Sequence, residues 1–259
     1  MLRPVCLRLA FICAAITAGF LPCVAEDDDP QFETYITADY AQQSAALASS
    51  TVWSFLGPVN QPGLRLKLDS FLSINGATDS SLFSSAFMAA DLKTLGDIML
   101  GYQFKRGSFW VKLYAGAATQ SQAMVFWQIG QAVQQQGYGA TAAVEGFWRG
   151  TGRYWASGDV SWLQFDNTVS VYERTAYEFF RESETFKISA GMESAAMISD
   201  ADMFKAGKHL DLYNQYVREG VLLNLKYWSH DLTLSGGMAK ASNEGSWYPY
   251  ATLSYGKKF

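Results

Sequence analysis

Beyond its first 25 residues this 259-residue chain has no cysteine: Cys6, Cys13 and Cys23 all fall in that opening stretch. The remainder forms no disulfide and offers no thiol nucleophile or thiolate metal ligand. Histidine is scarce as well. With His209 and His230 alone, a metal site would have to recruit carboxylates, and no ligand spacing points to one. Long apolar runs are missing after residue 25. No run reaches the ~18 residues of a membrane helix, which excludes a helical membrane protein. Positive charge is in deficit: 20 Lys and Arg stand against 24 Asp and Glu, net −4, which argues against a nucleic-acid partner. Charged residues amount to 17% and aromatics to 15%. That balance is odd for a soluble exported domain and suits one whose outer wall faces lipid.

The opening residues predict export. Arg3 and Arg8 give a basic start, and Leu9 to Phe20 is apolar apart from small residues. Cys23-Val24-Ala25 has small residues at both ends, and the acidic run from Glu26 to Asp29 follows. This pattern predicts a cleavable signal peptide over residues 1–25 and a single mature domain over 26–259. A membrane anchor is the weaker reading, because the apolar stretch is shorter than the roughly 20 residues that span a bilayer. Lipidation at Cys23 is disfavoured by Pro22 directly before it.

What the mature chain has in abundance is period-two alternation, the strand period. In Leu64-Arg65-Leu66-Lys67-Leu68-Asp69 the leucines take one face and the charges the other. Ile98, Leu100, Tyr102 and Phe104 alternate with Asp97, Gln103 and Lys105. Phe109, Val111 and Leu113 alternate with Trp110, Lys112 and Tyr114, and Val217, Val221 and Leu223 with Arg218 and Asn224. In a membrane barrel the leucines face lipid and the charges face the lumen.

The connections fall into two kinds. Short, turn-rich ones lie at Pro58 to Gly63, Lys105 to Ser108, Arg149 to Arg153, Phe180 to Glu184 and Ser229 to Asp231. Long, polar ones are expected at Ser73 to Leu95, Thr119 to Gly137 and Ser194 to Tyr213. Short turns on one side and long loops on the other characterise outer-membrane barrels. The fold expected is therefore all-β: a membrane-spanning, antiparallel, up-and-down β-barrel of about 12 strands. These strands centre near residues 36, 53, 68, 100, 114, 144, 159, 172, 189, 221, 234 and 252. An even number puts both termini on the periplasmic side. Trp148, Tyr154, Trp155, Trp162, Tyr227, Trp228, Trp247, Tyr248 and Tyr250 flank turns and are expected to form the aromatic girdle at the lipid–water boundary. The end of the chain, Ala251 to Phe259, carries apolar residues two apart and a final phenylalanine, resembling the strand signal read by barrel-assembly machinery.

The chain also resembles the alphaproteobacterial family of cellulose biosynthesis protein BcsS. The likeness rests on Pro62-Gly63-Leu64-Arg65-Leu66, on Asp97-Ile98-Met99-Leu100-Gly101-Tyr102-Gln103-Phe104, and on Gly191-Met192-Glu193, Arg218-Glu219-Gly220, Ser235-Gly236-Gly237 and Tyr250-Ala251-Thr252-Leu253 in that order. Met192 stands where the family usually has proline. The resemblance implies a place in cellulose synthesis and secretion at the outer membrane, with outer-membrane lipid, glucan and other secretion proteins as partners. It brings no catalytic residue and no cofactor.

The residues expected to line the lumen are Arg65, Lys67, Asp69, Asp97, Glu145, Asp159, Glu193 and Arg218. Both signs are present, so the interior is either plugged by ion pairs or a narrow channel of weak selectivity. A glycan-contacting loop is expected around Phe126, Trp127, Gln134 and Tyr138, where amides and rings suit sugar hydroxyls and pyranose faces. Catalysis is disfavoured, because adjacent Ser229 and His230 do not point at each other as a nucleophile and base must. Gly137-Tyr138-Gly139 lacks the third glycine of a dinucleotide loop. The leading expectation is a non-enzymatic barrel accessory to cellulose export. A general pore or structural barrel and a lipid-modifying barrel enzyme are the alternatives.

Overall fold

The computed structural model describes residues 29–41, 44–79, 87–126, 131–150, 152–165, 167–183, 185–199, 215–241 and 246–259. The expected signal peptide, Trp127 and His209 lie outside them. Twelve strands follow in chain order: β1 (Phe32–Ala41), β2 (Ser44–Ser54), β3 (Gly63–Asp79), β4 (Phe87–Arg106), β5 (Phe109–Phe126), β6 (Gln131–Arg149), β7 (Tyr154–Leu163), β8 (Thr168–Arg181), β9 (Phe186–Ile198), β10 (Gln215–Tyr227), β11 (His230–Ala241) and β12 (Tyr248–Lys258). Each pairs antiparallel with its sequence neighbours, and β1 pairs with β12, closing the barrel. Closure gives the backbone groups partners without a bare edge, the condition for crossing hydrocarbon with strands. All twelve expected strand centres lie within these elements.

Alternation decides which face each side chain takes. Leu64, Ile98, Leu100, Val144, Val221 and Leu234 are exposed on the outer wall, while Arg65, Lys112, Glu193 and Arg218 are buried inside. Apart from the β2–β3 connection, the turns at the end that holds both termini are short. Gly107, at φ 61°, opens the two-residue link between β4 and β5. A two-residue hairpin of this kind favours positive φ, which glycine adopts without steric cost. Trp228 takes the same region, at φ 56°. The β10–β11 turn is therefore Trp228-Ser229, and His230 begins a strand rather than occupying a turn.

Two expectations are corrected at the opposite end. The stretches expected as long loops, Ser73 to Leu95 and Thr119 to Gly137, are largely strand: β3 continues to Asp79, β4 starts at Phe87, β5 continues to Phe126 and β6 starts at Gln131. β4 has 20 residues, whereas about 9–11 tilted residues cross a bilayer. Roughly half of β4 therefore stands beyond the hydrocarbon. β3 to β6 form a fin above the rest of the rim. Residues 76–79 of β3 pair with β4 alone, and β6 meets β7 only from Thr141, opposite Leu163, onward.

The girdle is corrected too. Trp148, Tyr154, Trp162, Tyr227, Trp228 and Trp247 are exposed outside as expected. Trp155, Tyr248 and Tyr250 point inward. Trp155 donates to Ser189 Oγ at 3.2 Å, and Tyr248 and Tyr250 pack with Ala41 and Ala239 in a buried cluster. Period two places them there, since Tyr154, Trp247 and Ala251 hold the outward positions beside them.

Candidate functional site: the barrel lumen

The lumen holds the charged side chains that the alternation turns away from lipid. Besides the pairs of Glu178 with Arg149 and Arg181, they gather in two hubs that cross the interior. In the first, Lys67 Nζ lies 2.9 Å from Asp69 and 2.8 Å from Glu145, and Lys112 Nζ lies 3.4 Å from Glu145 and 3.3 Å from Glu33. Lys258 reaches the other oxygen of Glu33 at 3.2 Å. Glu33 is on β1 and Lys112 on β5, strands that are not neighbours in the barrel. The pair spans the lumen rather than a strand interface.

The second hub centres on Glu193, whose side chain is fully buried. It accepts from Tyr172 Oη at 2.7 Å, Ser235 Oγ at 2.8 Å, Tyr250 Oη at 2.9 Å and Arg174 Nε at 3.3 Å. Arg218 stands between Glu193, at 4.0 Å, and Asp39 on β1, at 2.5 Å. A buried carboxylate needs such a donor set to offset lost hydration.

Arg65 also faces inward, but it is fully buried and lines no open space. Its guanidinium donates to Ser54 Oγ at 2.7 Å, to the carbonyls of Pro58 and Val59 at 3.3 and 3.4 Å, and to that of Gln61. The amide of Gln103 and the amine of Lys105 hold the Gln61 and Asn60 carbonyls at 3.1 and 3.0 Å. The β2–β3 connection, with buried Val59 at its centre, is thus fastened across part of the mouth at the termini end.

The lumen holds a cavity of about 720 Å³. Of the expected lumen residues, Lys67, Asp69, Asp97, Glu145, Asp159 and Arg218 line it. Glu193 stands behind Arg218 and Tyr172, and Arg65 is sealed under the β2–β3 connection. Sequence reasoning gave no role to Glu33, Tyr172, Arg174 or Glu178; the parity of β1 and β8 was the signal available for them. It placed Trp155 in the outer girdle and gave Trp110 and Phe147 no site role; all three line the same cavity, from β7, β5 and β6.

The expected glycan loop does not form as a loop. Gln134 and Tyr138 lie in β6 on the fin, where Gln134 donates to Ser121 Oγ of β5 at 3.2 Å and Tyr138 is 75% exposed. Phe126 ends β5, and Trp127 lies outside the described residues. Gln134 and Tyr138 therefore sit well away from the lumenal side chains.

A closed antiparallel barrel with a lipid-facing outer wall and a charged, wet interior defines a membrane-spanning β-barrel. Solved structures share the fold. LpxR from Salmonella typhimurium superposes with a TM-score of 0.52 at 11% identity, covering 88% of this chain and 100% of that one. The transport unit of the autotransporter AIDA-I from Escherichia coli gives 0.50 at 9% identity, covering 97% of each chain. No curated protein has a detectably similar sequence. The model of the cellulose biosynthesis protein BcsS family matches residues 34–196, and the chain belongs to that family.

Proposed function

We propose that the protein is a non-enzymatic outer-membrane barrel accessory to cellulose biosynthesis and secretion. The observation that carries this reading is the family match over residues 34–196, which runs from β1 through most of β9 of a membrane-type barrel. The termini and tight turns face the periplasm, and the fin of β3 to β6 projects from the cell. Ion pairs that cross the lumen, Glu33 to Lys112 and Asp39 to Arg218, favour a scaffold over a wide general pore. The barrel's role is to hold glucan or other secretion proteins at the surface rather than to turn over a substrate. His230 supports this view. Its Nδ1 lies 2.6 Å from Tyr255 Oη, so its ring is engaged at the periplasmic rim rather than poised beside a nucleophile.

A deletion strain grown where the wild type makes cellulose, stained with a cellulose-binding dye, tests the proposal. Reduced or disorganised cellulose, restored by the wild-type gene, is the expected result. Unaltered amount and architecture would overturn it.

A further inference from the structure

The rings of Trp110, Phe147 and Trp155 form a continuous run on the inner wall. They come from three adjacent strands, with centroids 5.6 and 6.3 Å apart and successive planes inclined by only 16° and 22°. All three line the 720 Å³ cavity, whose size falls in the range of about 300–1,000 Å³ typical of ligand sites. Inward-facing aromatics are costly unless they pack or bind, because a wet lumen gives their faces nothing apolar to cover. Here both tryptophans also have a polar companion. The Lys112 ammonium lies 4.7 Å from the Trp110 ring centre, and the Trp155 indole nitrogen donates to Ser189. Arg149, paired directly with Trp155 across the strands, is held by Glu178.

The wall across the barrel, from β10 to β12, is polar. Asn224, Asp231, Thr233 and Ser254 line the same cavity from there. Asn224 Nδ2 donates to Asp231 at 2.5 Å and Thr233 at 2.8 Å. In cross-section the cavity sets rings, with Lys112, Glu145 and Asp159 beside them, against a wall of donors and acceptors that carries no ring among these residues. A pyranose has that same division, with C–H faces that stack on rings and hydroxyls around its edge. A helical α-glucan bends away from such a wall. The rings stack on one another as offset, near-parallel plates, and a flat, extended β-linked chain can follow that straight run.

We infer that the lumen contains a binding site for a short β-linked gluco-oligosaccharide, seated on Trp110, Phe147 and Trp155. The choice of glucose rests on the cellulose reading above; the saccharide class rests on the geometry. Lys67, Lys112, Glu145 and Arg149 are tied into ion pairs, so the site is built for a neutral chain rather than an anionic one.

The test is calorimetric titration of the full-length barrel, folded in detergent, with cellotetraose and with maltotetraose. Folding of each variant is checked by heat-modifiable gel mobility. The expected result is saturable cellotetraose binding that weakens about tenfold in Trp155→Leu or Trp110→Leu, the factor one ring contact of this kind supplies. Trp228→Leu, on the outer wall, leaves it unchanged. Phe147→Leu serves as the third lumenal variant where a tryptophan variant fails to fold. Absence of cellotetraose binding by the folded wild type overturns the site, as does affinity indifferent to all lumenal variants. Equal affinity for maltotetraose overturns the β-linkage. A deletion strain with disordered cellulose and a barrel that ignores cellotetraose would sink the site alone. Unaltered cellulose with a binding barrel would sink the cellulose role alone.

Discussion

Replacing Arg65 by leucine should loosen the β2–β3 connection without unfolding the barrel. The side chain is fully buried and donates to three carbonyls of that connection, those of Pro58, Val59 and Gln61. Hydrogen bonds from a charged group contribute about 1.5–3 kcal/mol each. Two of the three are long, at 3.3 and 3.4 Å, and the released carbonyls find water at the mouth. A net loss of about 3 kcal/mol is therefore the reasonable sum, equivalent to roughly 100-fold in an opening equilibrium. The Val59 amide reports it. It donates to the Pro30 carbonyl at 2.7 Å, a bond that breaks when the connection lifts. Hydrogen exchange by mass spectrometry on the detergent-folded barrel should show residues 58–61 exchanging roughly 100-fold faster in Arg65→Leu, with β8 to β11 unchanged. Arg65→Lys should fall between the two, because an ammonium keeps the charge but loses the planar fork that serves several acceptors. Unchanged exchange at Val59 in the leucine variant would refute the claim that Arg65 fastens this segment.

Three further outcomes follow from the same structure. Glu193→Gln should destabilise the barrel by about 3 kcal/mol in urea unfolding from lipid vesicles, because it leaves Arg174 without its carboxylate and Arg218 with Asp39 alone; a change below about 1 kcal/mol would remove Glu193 as the centre of its hub. A double-mutant cycle of Lys67→Met and Glu145→Gln should show coupling of about 1–3 kcal/mol, whereas additive effects would mean that the 2.8 Å pair does not brace the interior. Leu100→Arg, placed on the lipid face where Leu100 is 63% exposed, should cost about 2–4 kcal/mol in vesicles, and a neutral result would contradict the assignment of that face to hydrocarbon.

Legibility in the sequence followed the bilayer. Where a strand crosses hydrocarbon, one face must be apolar and the other need not be, and the resulting alternation at Leu64 to Asp69 or Phe109 to Tyr114 located strand and face together. Beyond the hydrocarbon that pressure vanishes. The stretch from Gln131 to Gly137 has no lipid face to satisfy, so its glutamines and glycine read as a loop although β6 runs straight through them. The same cause hid the outer ends of β3, β4 and β5. Trp155, Tyr248 and Tyr250 were misplaced for a different reason. Their closeness to turns suggested the interface, but their parity with Arg149, Thr252 and Ser254 put them inside. The hubs were half legible. Parity brought Lys67, Glu145, Glu193 and Arg218 to the lumen, but which partner each meets depends on the barrel's curvature. No single strand records that Glu33 of β1 meets Lys112 of β5.

That curvature also explains how a chain with so few charges and no disulfide in its barrel can hold a defined interior. Its ion pairs are concentrated inside the barrel, and each hub ties strands that never touch through backbone. Glu193 gathers donors from β8, β10, β11 and β12, and Glu145 links β6 to β3 and β5. Among the described residues, β2 and β4 contribute to neither hub, and nor does β7. It supplies Trp155 to the aromatic run instead, and the cavity opens against it. The first hub holds the strands that carry the rings, for Lys112 shares β5 with Trp110 and Glu145 shares β6 with Phe147. The wall of the cavity is thus fixed before any ligand arrives, which is the preorganisation a binding site requires.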